Sequence, residues 1–431
     1  MNKIKKPDKN NLIIDNSTEI LCIGTEILLG NIVNTNSQWI AEELSALGIP
    51  HYQQNVVGDN FIRIKQSILD ASKRSRYLIT TGGLGPTPDD LTTEAIASSF
   101  DAKLKLREYI WEDIKQKLTY KDIEPLEINK KQAYFPGNAE IILNKKGTAP
   151  GMIWSPIKNF TIITLPGVPD ELKSMWTKEL IPWFQKNTQI ERKYVSKILK
   201  FSGISESALS DKVNDLLSSI NPTVAPYASL EEVRLRITAE ASDTNTAEKI
   251  IEPLETELRR RTGNNFWGYN NQTLSSVVIN LLERKQQTLS VAESCTGGGV
   301  GSELSSVPGA SKVFVGGVIA YNNSVKKDFL GVSQELLEEH GAVSSKVAAL
   351  MAIESRRRFK TDWAIAISGL AGPGGGSISK PIGLVHIAIS GPNGIESFKE
   401  TFNPCKGRRN IQILSVFFSL NKLRLLLLKQ N

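Results

Sequence analysis

The chain has 431 residues, 40% of them hydrophobic and 23% charged, which is enough for about two to four packed domains and excludes a disordered polymer. Its three cysteines (Cys22, Cys295, Cys405) form no CxxC pair, and its three histidines (His51, His340, His386) lie far apart. A disulfide framework and a zinc-ribbon site are therefore excluded, and a reducing cytoplasm is expected. The net charge of +7 sits at the ends: residues 1–10 hold four lysines against one aspartate, residues 401–431 hold six basic residues and no acid, and residues 11–400 hold 42 basic against 44 acidic residues. A basic nucleic-acid face on the body is not supported.

In chain order, residues 1–17 read as a basic polar tail, with Met1–Asn10 too polar for a secretory signal. Residues 18–183 alternate short apolar strands (Glu19–Gly24, Tyr52–Val57, Tyr77–Thr81, Asn159–Leu165) with helical patterns (Trp39, Ile40, Leu44 and Leu47, then Phe61–Lys73). That alternation predicts a mostly parallel sheet covered on both faces. Residues 184–266 read as a small α+β domain: strand Lys197–Phe201, helix Glu206–Ser218, strands Thr223–Pro226 and Val233–Ala239, helix Thr246–Arg261. Its helix-to-strand turns lack the GxxG loop of a nucleic-acid clamp, so a spacer or dimerisation role is expected.

Residues 267–431 open with an amphipathic helix (Leu274, Val277, Val278, Leu281, Leu282) and continue through strand Leu289–Ala292, strand Val313–Ala320, helix Ser344–Phe359 and strands Trp363–Ile367 and Gly383–Ile389. The apolar segment Ile411–Leu420 is interrupted by Asn421, Lys422 and Arg424 before it could span a bilayer, so it is read as a closing helix packed on a domain. The fold class is α/β: two three-layer α/β domains with mostly parallel sheets, joined by a small α+β domain.

Two segments could carry chemistry. The run from Thr80 to Thr92 (TTGGLGPTPDDLT) follows an apolar strand and precedes a helix. Glycines let backbone approach a phosphate, the next helix start presents N–H groups, and Asp89 and Asp90 could hold a divalent ion. The run Ala292–Gly299 (AESCTGGG) ends a strand and opens a helix, a position that exposes a nucleophile, Ser294 or Cys295. A base is then required. His340 and His386 are placed for packing or surface roles, whereas Lys326, just after Tyr321-Asn322-Asn323-Ser324-Val325, could serve if burial lowers its pKa.

The first run is similar to the signature of the molybdopterin-binding domain family in the form found at the front of CinA (competence-damage inducible) proteins. Gly24–Gly30 with Asn34-Thr35-Asn36 resembles that family's opening motif, and Val57-Gly58-Asp59-Asn60 places Asp59 on a functional acidic position. Thr25 stands where Asp or Asn is usual, and Thr93 where Arg is common. The resemblance implies a metal-dependent pyrophosphatase acting on ADP-ribose. It would place Glu26, Asn36, Asp59, Thr81, Gly82, Gly83, Gly85 and Thr87 around the substrate and Asp89 and Asp90 on a divalent metal ion.

The segments Ala292–Gly298, Tyr321–Lys326, His340–Ser344 and Ser368–Gly375 resemble the hallmarks of the CinA carboxy-terminal domain, which hydrolyses the amide of nicotinamide mononucleotide. The resemblance implies Ser294 as nucleophile, Lys326 as its base, Tyr321 as a supporting hydroxyl, and no cofactor. It also implies oxyanion and phosphate donors from Thr296, Gly297 and Gly298, further substrate contacts from Asn322, Ser368, Gly369, Ala371 and Gly372, and Cys295 as a packed neighbour. The expectation is a cytoplasmic, homodimeric hydrolase of pyridine-nucleotide salvage with no membrane or nucleic-acid partner. The alternative is a degenerate or pterin-binding front domain in a competence- or DNA-damage-associated partner protein.

Overall fold

The computed structural model describes residues 17–188 and 193–430; the expected basic tail lies, apart from Ser17, outside them. By its contacts the chain forms two compact units. One runs to Val195 and includes Glu240–Ala247; the other comprises Ser196–Ala239 and the chain from Glu248 onward. The middle and rear regions read from the sequence thus share one unit.

In the first unit a six-stranded sheet has the order His51–Val57, Thr18–Ile23, Tyr77–Thr81, Phe160–Leu165, Gly151–Ile157, Glu140–Ile142. The first four strands are parallel and the last two antiparallel. Strand side chains alternate between faces, so Leu21 and Ile23 enter one core while Ile20 and Cys22 enter the other. Helices Phe61–Ser72, Thr92–Ser99 and Glu108–Tyr120 cover the first face through Ile64, Ile68, Ile96, Ile110 and Ile114; Thr35–Ala46 and the segment around Trp176 cover the second. Each fully buried aliphatic or aromatic side chain of this kind contributes about 1.5–3 kcal/mol over its exposed state.

The second unit holds most of a four-stranded sheet ordered Thr223–Ala228, Val233–Ala241, Lys193–Phe201, Phe266–Tyr269 and most of helix Thr244–Thr262. The single helix expected over Glu206–Ser218 is two, Glu206–Lys212 and Asn214–Leu217, because the backbone leaves helical geometry at Val213 (φ −123°, ψ 16°).

The unit's other sheet has the order Phe314–Ile319, Leu289–Glu293, Trp363–Gly369, Leu384–Gly391, Gly394–Thr401. Its first three strands are parallel and only Leu384–Gly391 runs against them, antiparallel to both of its neighbours, so the sheet is mostly parallel in strand direction with one reversed strand. The reason is local. Only residues 392 and 393 separate the last two strands, and Gly394 takes φ +116°. A connection this short joins only antiparallel neighbours. Strand Gly394–Thr401 is exposed at most positions, which is why no apolar pattern marks it.

Helices Leu274–Lys285 and Gly407–Lys429 cover one face of this sheet, and helices Asn323–Leu330, Gln334–His340 and Ser345–Phe359 the other. The closing helix is longer than the apolar segment that announced it. By length and composition, Pro404–Lys429 is sufficient to cross a membrane, contrary to the expected interruption. Ile411, Val416, Leu420, Leu423 and Leu427 nevertheless lie in the core, and buried Arg424 donates to the carbonyls of Phe266 (3.1 Å) and Asn264 (2.7 Å).

Candidate functional site

The rear site is built where the parallel strand Leu289–Glu293 stops. Glu293 is the last strand residue and is buried; its carboxylate accepts from Thr296 Oγ1 (2.7 Å) and from the amides of Gly298 (3.2 Å), Val300 (3.0 Å) and Gly301 (2.8 Å). It thereby caps the turn and the start of helix Gly299–Ser305 from within. This corrects the expected role of the glycines: the Gly298 amide belongs to Glu293, and the Gly297 amide donates to Ser294 O (3.1 Å). Neither is a free oxyanion or phosphate donor, and the Thr296 hydroxyl is likewise engaged.

Ser294 follows directly, nearly buried, with its N–H on Ile367 O (2.9 Å) and its hydroxyl without a hydrogen bond among the described residues. Cys295 is buried, its carbonyl accepts from Gln412 Nε2 (2.8 Å), and burial pushes its thiol up to about 12, so it stays protonated and inert.

Lys326 lies in helix Asn323–Leu330 and is only 1% exposed. Its Nζ donates to Ala320 O (2.8 Å) and Tyr321 O (3.1 Å), and no carboxylate pairs with it among the described residues. Burial pushes its pKa down, opposed by the nearby Cys295. It makes no hydrogen bond to Ser294; the carbonyls just after strand Phe314–Ile319 hold the amine instead. Ala320 N donates to Glu293 O (2.7 Å), so the carbonyl that holds the Lys326 amine sits beside the strand end that leads into Ser294.

Tyr321 is exposed, and its hydroxyl accepts from Arg408 Nη2 (2.6 Å); Arg408 Nη1 also donates to Gly372 O (2.7 Å). Arg408 therefore ties the Tyr321 segment to the Ser368–Gly375 loop. Within that loop Ser368 is buried with its hydroxyl on Ala342 O (2.7 Å), Gly369 ends the strand, and Ala371 is buried. Asn322 caps its helix by accepting from Ser324 N (2.9 Å). Two residues escaped the sequence reading: Glu293, marked only by its place before Ser294, and Arg408, hidden in the terminal basic run.

The front site lies at the carboxyl ends of the four parallel strands. Ile23-Gly24, Asp59, Thr81–Gly85 and Pro166-Gly167 all line a cleft of about 510 Å³, the place where open α/β sheets bind ligands. Gly82 has φ +98°, and a Cβ there would sit 2.1 Å from Ile23 O, so only glycine lets these strand ends close. Asn36 Nδ2 donates to Thr81 Oγ1 (3.2 Å) and Gly167 O (2.7 Å), clasping the strand ends. Thr25 and Asp59 bond reciprocally: Thr25 N donates to Asp59 Oδ2 (2.8 Å), and Asp59 N to Thr25 Oγ1 (3.1 Å). Glu26, Gly83, Gly85, Asp89 and Asp90 also face the cleft; Thr87 does not line it, because its hydroxyl turns onto the Asp89 and Asp90 carboxylates and its N–H onto Asp90 (2.9 Å). Thr93 is absent from this cleft as well and lines a separate one with Glu94 and Lys131. Gln132 was not expected; its buried Oε1 has no hydrogen-bond donor among the described residues.

No group of three or more metal-ligating side chains exists among the described residues. Two adjacent carboxylates, hard oxygen donors, still fit an ion that takes its remaining ligands from water and substrate phosphates rather than from a protein cage.

These features define a chain with two strand-end sites on separate α/β sheets. Three family models match it: the probable molybdopterin binding domain over residues 19–186, the damage-inducible protein CinA KH domain over 196–268, and the CinA C-terminal domain over 271–427. A CinA-like protein of Prochlorococcus marinus is 54% identical over 410 residues, 95% of this chain and 96% of its own length. A CinA-like protein of Parasynechococcus marenigrum is 52% identical over 413 residues, 96% of this chain and 99% of its own. The crystal structure of competence/damage inducible protein CihA from Agrobacterium tumefaciens is 37% identical, covering 36% of this chain and 94% of that one with a TM-score of 0.35. The chain belongs to the CinA family.

Proposed function

We propose that the rear domain hydrolyses the carboxamide of nicotinamide mononucleotide, with Ser294 as nucleophile and Lys326 as general base. The observation that carries this reading is Lys326: a lysine 1% exposed, without a carboxylate partner among the described residues, its pKa lowered by burial, held on Ala320 O beside the strand end that leads into Ser294. Burying a cation without a counter-ion is costly, and such lysines concentrate where a neutral amine is used at ordinary pH.

In the reaction, neutral Lys326 leaves its carbonyl acceptors and takes the Ser294 Oγ proton as Oγ bonds to the amide carbon. The amides of Cys295 and Thr296, which neither Glu293 nor the Ser294 carbonyl occupies, are the donors assigned to the developing oxyanion. The C–N bond then breaks, and the proton held by Lys326 leaves with the nitrogen as ammonia. Water attacks the resulting ester and passes a proton to Lys326; as the Oγ–C bond breaks, Lys326 returns that proton to Oγ, giving the carboxylic acid, free serine and neutral lysine. Glu293 keeps the turn in place, and Arg408 holds Tyr321 against the Gly-rich loop. The test is ammonia release from nicotinamide mononucleotide by the full chain, lost in Ser294→Ala.

For the front domain we propose hydrolysis of ADP-ribose. Asp89 and Asp90 would hold a divalent ion together with the pyrophosphate oxygens; when bound, the ion neutralises phosphate charge. The Gln132 carbonyl oxygen is left to accept from substrate or water, and Asn36 and Thr81 keep the strand ends in register. AMP release that persists in Asp90→Ala refutes this role. The family model's description supports a second reading, pterin binding, and a fluorescent pterin co-purifying with the chain would establish it in place of hydrolysis.

A further inference from the structure

A second cavity, of about 470 Å³, opens within the unit that holds the rear site, between the middle sheet and the rear domain. Neither Ser294, Lys326 nor Tyr321 lines it; it meets the nucleophile turn at Thr296–Gly299. Trp267 forms part of its wall, is 5% exposed, and its indole N–H has no acceptor among the described residues. Buried donors are otherwise almost always satisfied, so this one marks a place for an acceptor.

The charges of the cavity sort into a paired and an unpaired set. Glu232 engages Lys200 (3.6 Å) and Arg234 (2.5 Å). Glu231 and Glu303 are exposed carboxylates that both line the cavity; burial, Glu232 and Glu303 push the Glu231 pKa up against Arg234 and Lys200, and neither carboxylate forms an ion pair among the described residues. Arg409 is exposed on the closing helix, also without an acid partner among the described residues. Trp267, Phe417 and Leu420 supply an apolar wall, with the Trp267 and Phe417 rings edge-to-face at 6.0 Å and 73°.

We propose that this cavity binds a nucleoside monophosphate whose base carries an exocyclic amino group. Each part of such a ligand has a counterpart: a ring acceptor for the Trp267 N–H, an amine donor for Glu231 and Glu303, a phosphate for Arg409, and a planar base for the apolar surface. The volume lies in the range of small-molecule sites. Occupancy reaches the nucleophile turn through Thr296–Gly299 and through Gln412, which lines the cavity and holds Cys295 O at 2.8 Å. The ligand thereby modulates deamidation, a consequence that rests on the assignment of Ser294.

The experiment is calorimetric titration of the full chain with AMP and with UMP, whose base lacks the amine. AMP binds more tightly than UMP; Trp267→Phe and Arg409→Ala each weaken AMP about fivefold or more; Glu303→Gln narrows the AMP–UMP difference; and Ser294→Ala binds AMP as the wild type does. Arg409 and Glu303 are exposed, so their variants test the site even if Trp267→Phe fails to fold. Absence of saturable binding at millimolar AMP, equal affinity for AMP and UMP, or binding lost in Asp90→Ala but intact in Trp267→Phe and Arg409→Ala overturns the proposal. AMP that binds without changing ammonia release overturns the modulation. A chain that binds AMP here but releases no ammonia refutes the Ser294 assignment and leaves the binding site standing.

Discussion

Lys326 is 1% exposed with no ion-pair partner among the described residues, whereas Asp89 is exposed and Asp90 half-buried in their cleft, both accepting from the Thr87 hydroxyl. The Thr87 hydroxyl holds the Asp89 carboxyl below the usual carboxylate range, which favours the ionised form a cation would need. Burial at the rear site does the opposite and disfavours the charged amine. Both sites end parallel strands in α/β sheets, but one buries an amine at a cost in stability and the other keeps two accessible carboxylates at little cost. The contrast teaches where substitution should separate activity from stability.

The sharpest break is Ser294→Ala, for which ammonia release should fall by about 10³-fold or more while the thermal midpoint stays within a few degrees. Lys326→Met should cost about 10²–10⁴-fold in the same assay, yet leave the fold as stable or more stable, because a buried charge is replaced by a side chain of similar reach. Loss of stability in Lys326→Met would show that the lysine is structural. At the front, Asp90→Ala should abolish AMP release from ADP-ribose, as should a chelator, with ammonia release unchanged by either. Glu293→Gln keeps one acceptor oxygen but loses the charge that gathers three amides, and should destabilise the chain by about 1–3 kcal/mol in urea denaturation. The smallest effect is expected from Arg408→Ala: a rise in KM of about fivefold with kcat nearly unchanged, since Arg408 positions two loops rather than the reacting atoms.

The same contrast has a pH signature. Lys326 works as a base only when neutral, so kcat/KM should rise with pH and level off above a midpoint below the ordinary lysine range. The folded chain gives up a proton that the unfolded chain retains until about 10.5. Stability should therefore also rise with pH between the depressed value and that point. Both slopes should disappear in Lys326→Met; a falling rate with rising pH would contradict the assignment.

Strand ends at both sites were legible because apolar runs stop at residues with a local signature. Tyr77–Thr81 halts at Gly82-Gly83, and the run to Glu293 halts before Ser294. The partners of those ends were not. Glu293 reads as an ordinary acid until its amide donors, five to eight residues on, fold back over it. Arg408 reads as terminal charge until a separation of 87 residues closes onto Tyr321. The hairpin Leu384–Thr401 was half visible, because its outer strand buries too little to show alternation. Lys326 shows the limit most plainly: sequence supplied the candidate, but only packing removes its solvent and leaves it on two carbonyls with no ion-pair partner among the described residues.

The central claim is tested most directly by ammonia release from nicotinamide mononucleotide, measured on the full chain in the presence of a chelator that silences the front cleft. Sustained release by the wild type, lost in both Ser294→Ala and Lys326→Met with both variants folded, is the predicted result. Full activity in either folded variant, or no release from the wild type, contradicts it.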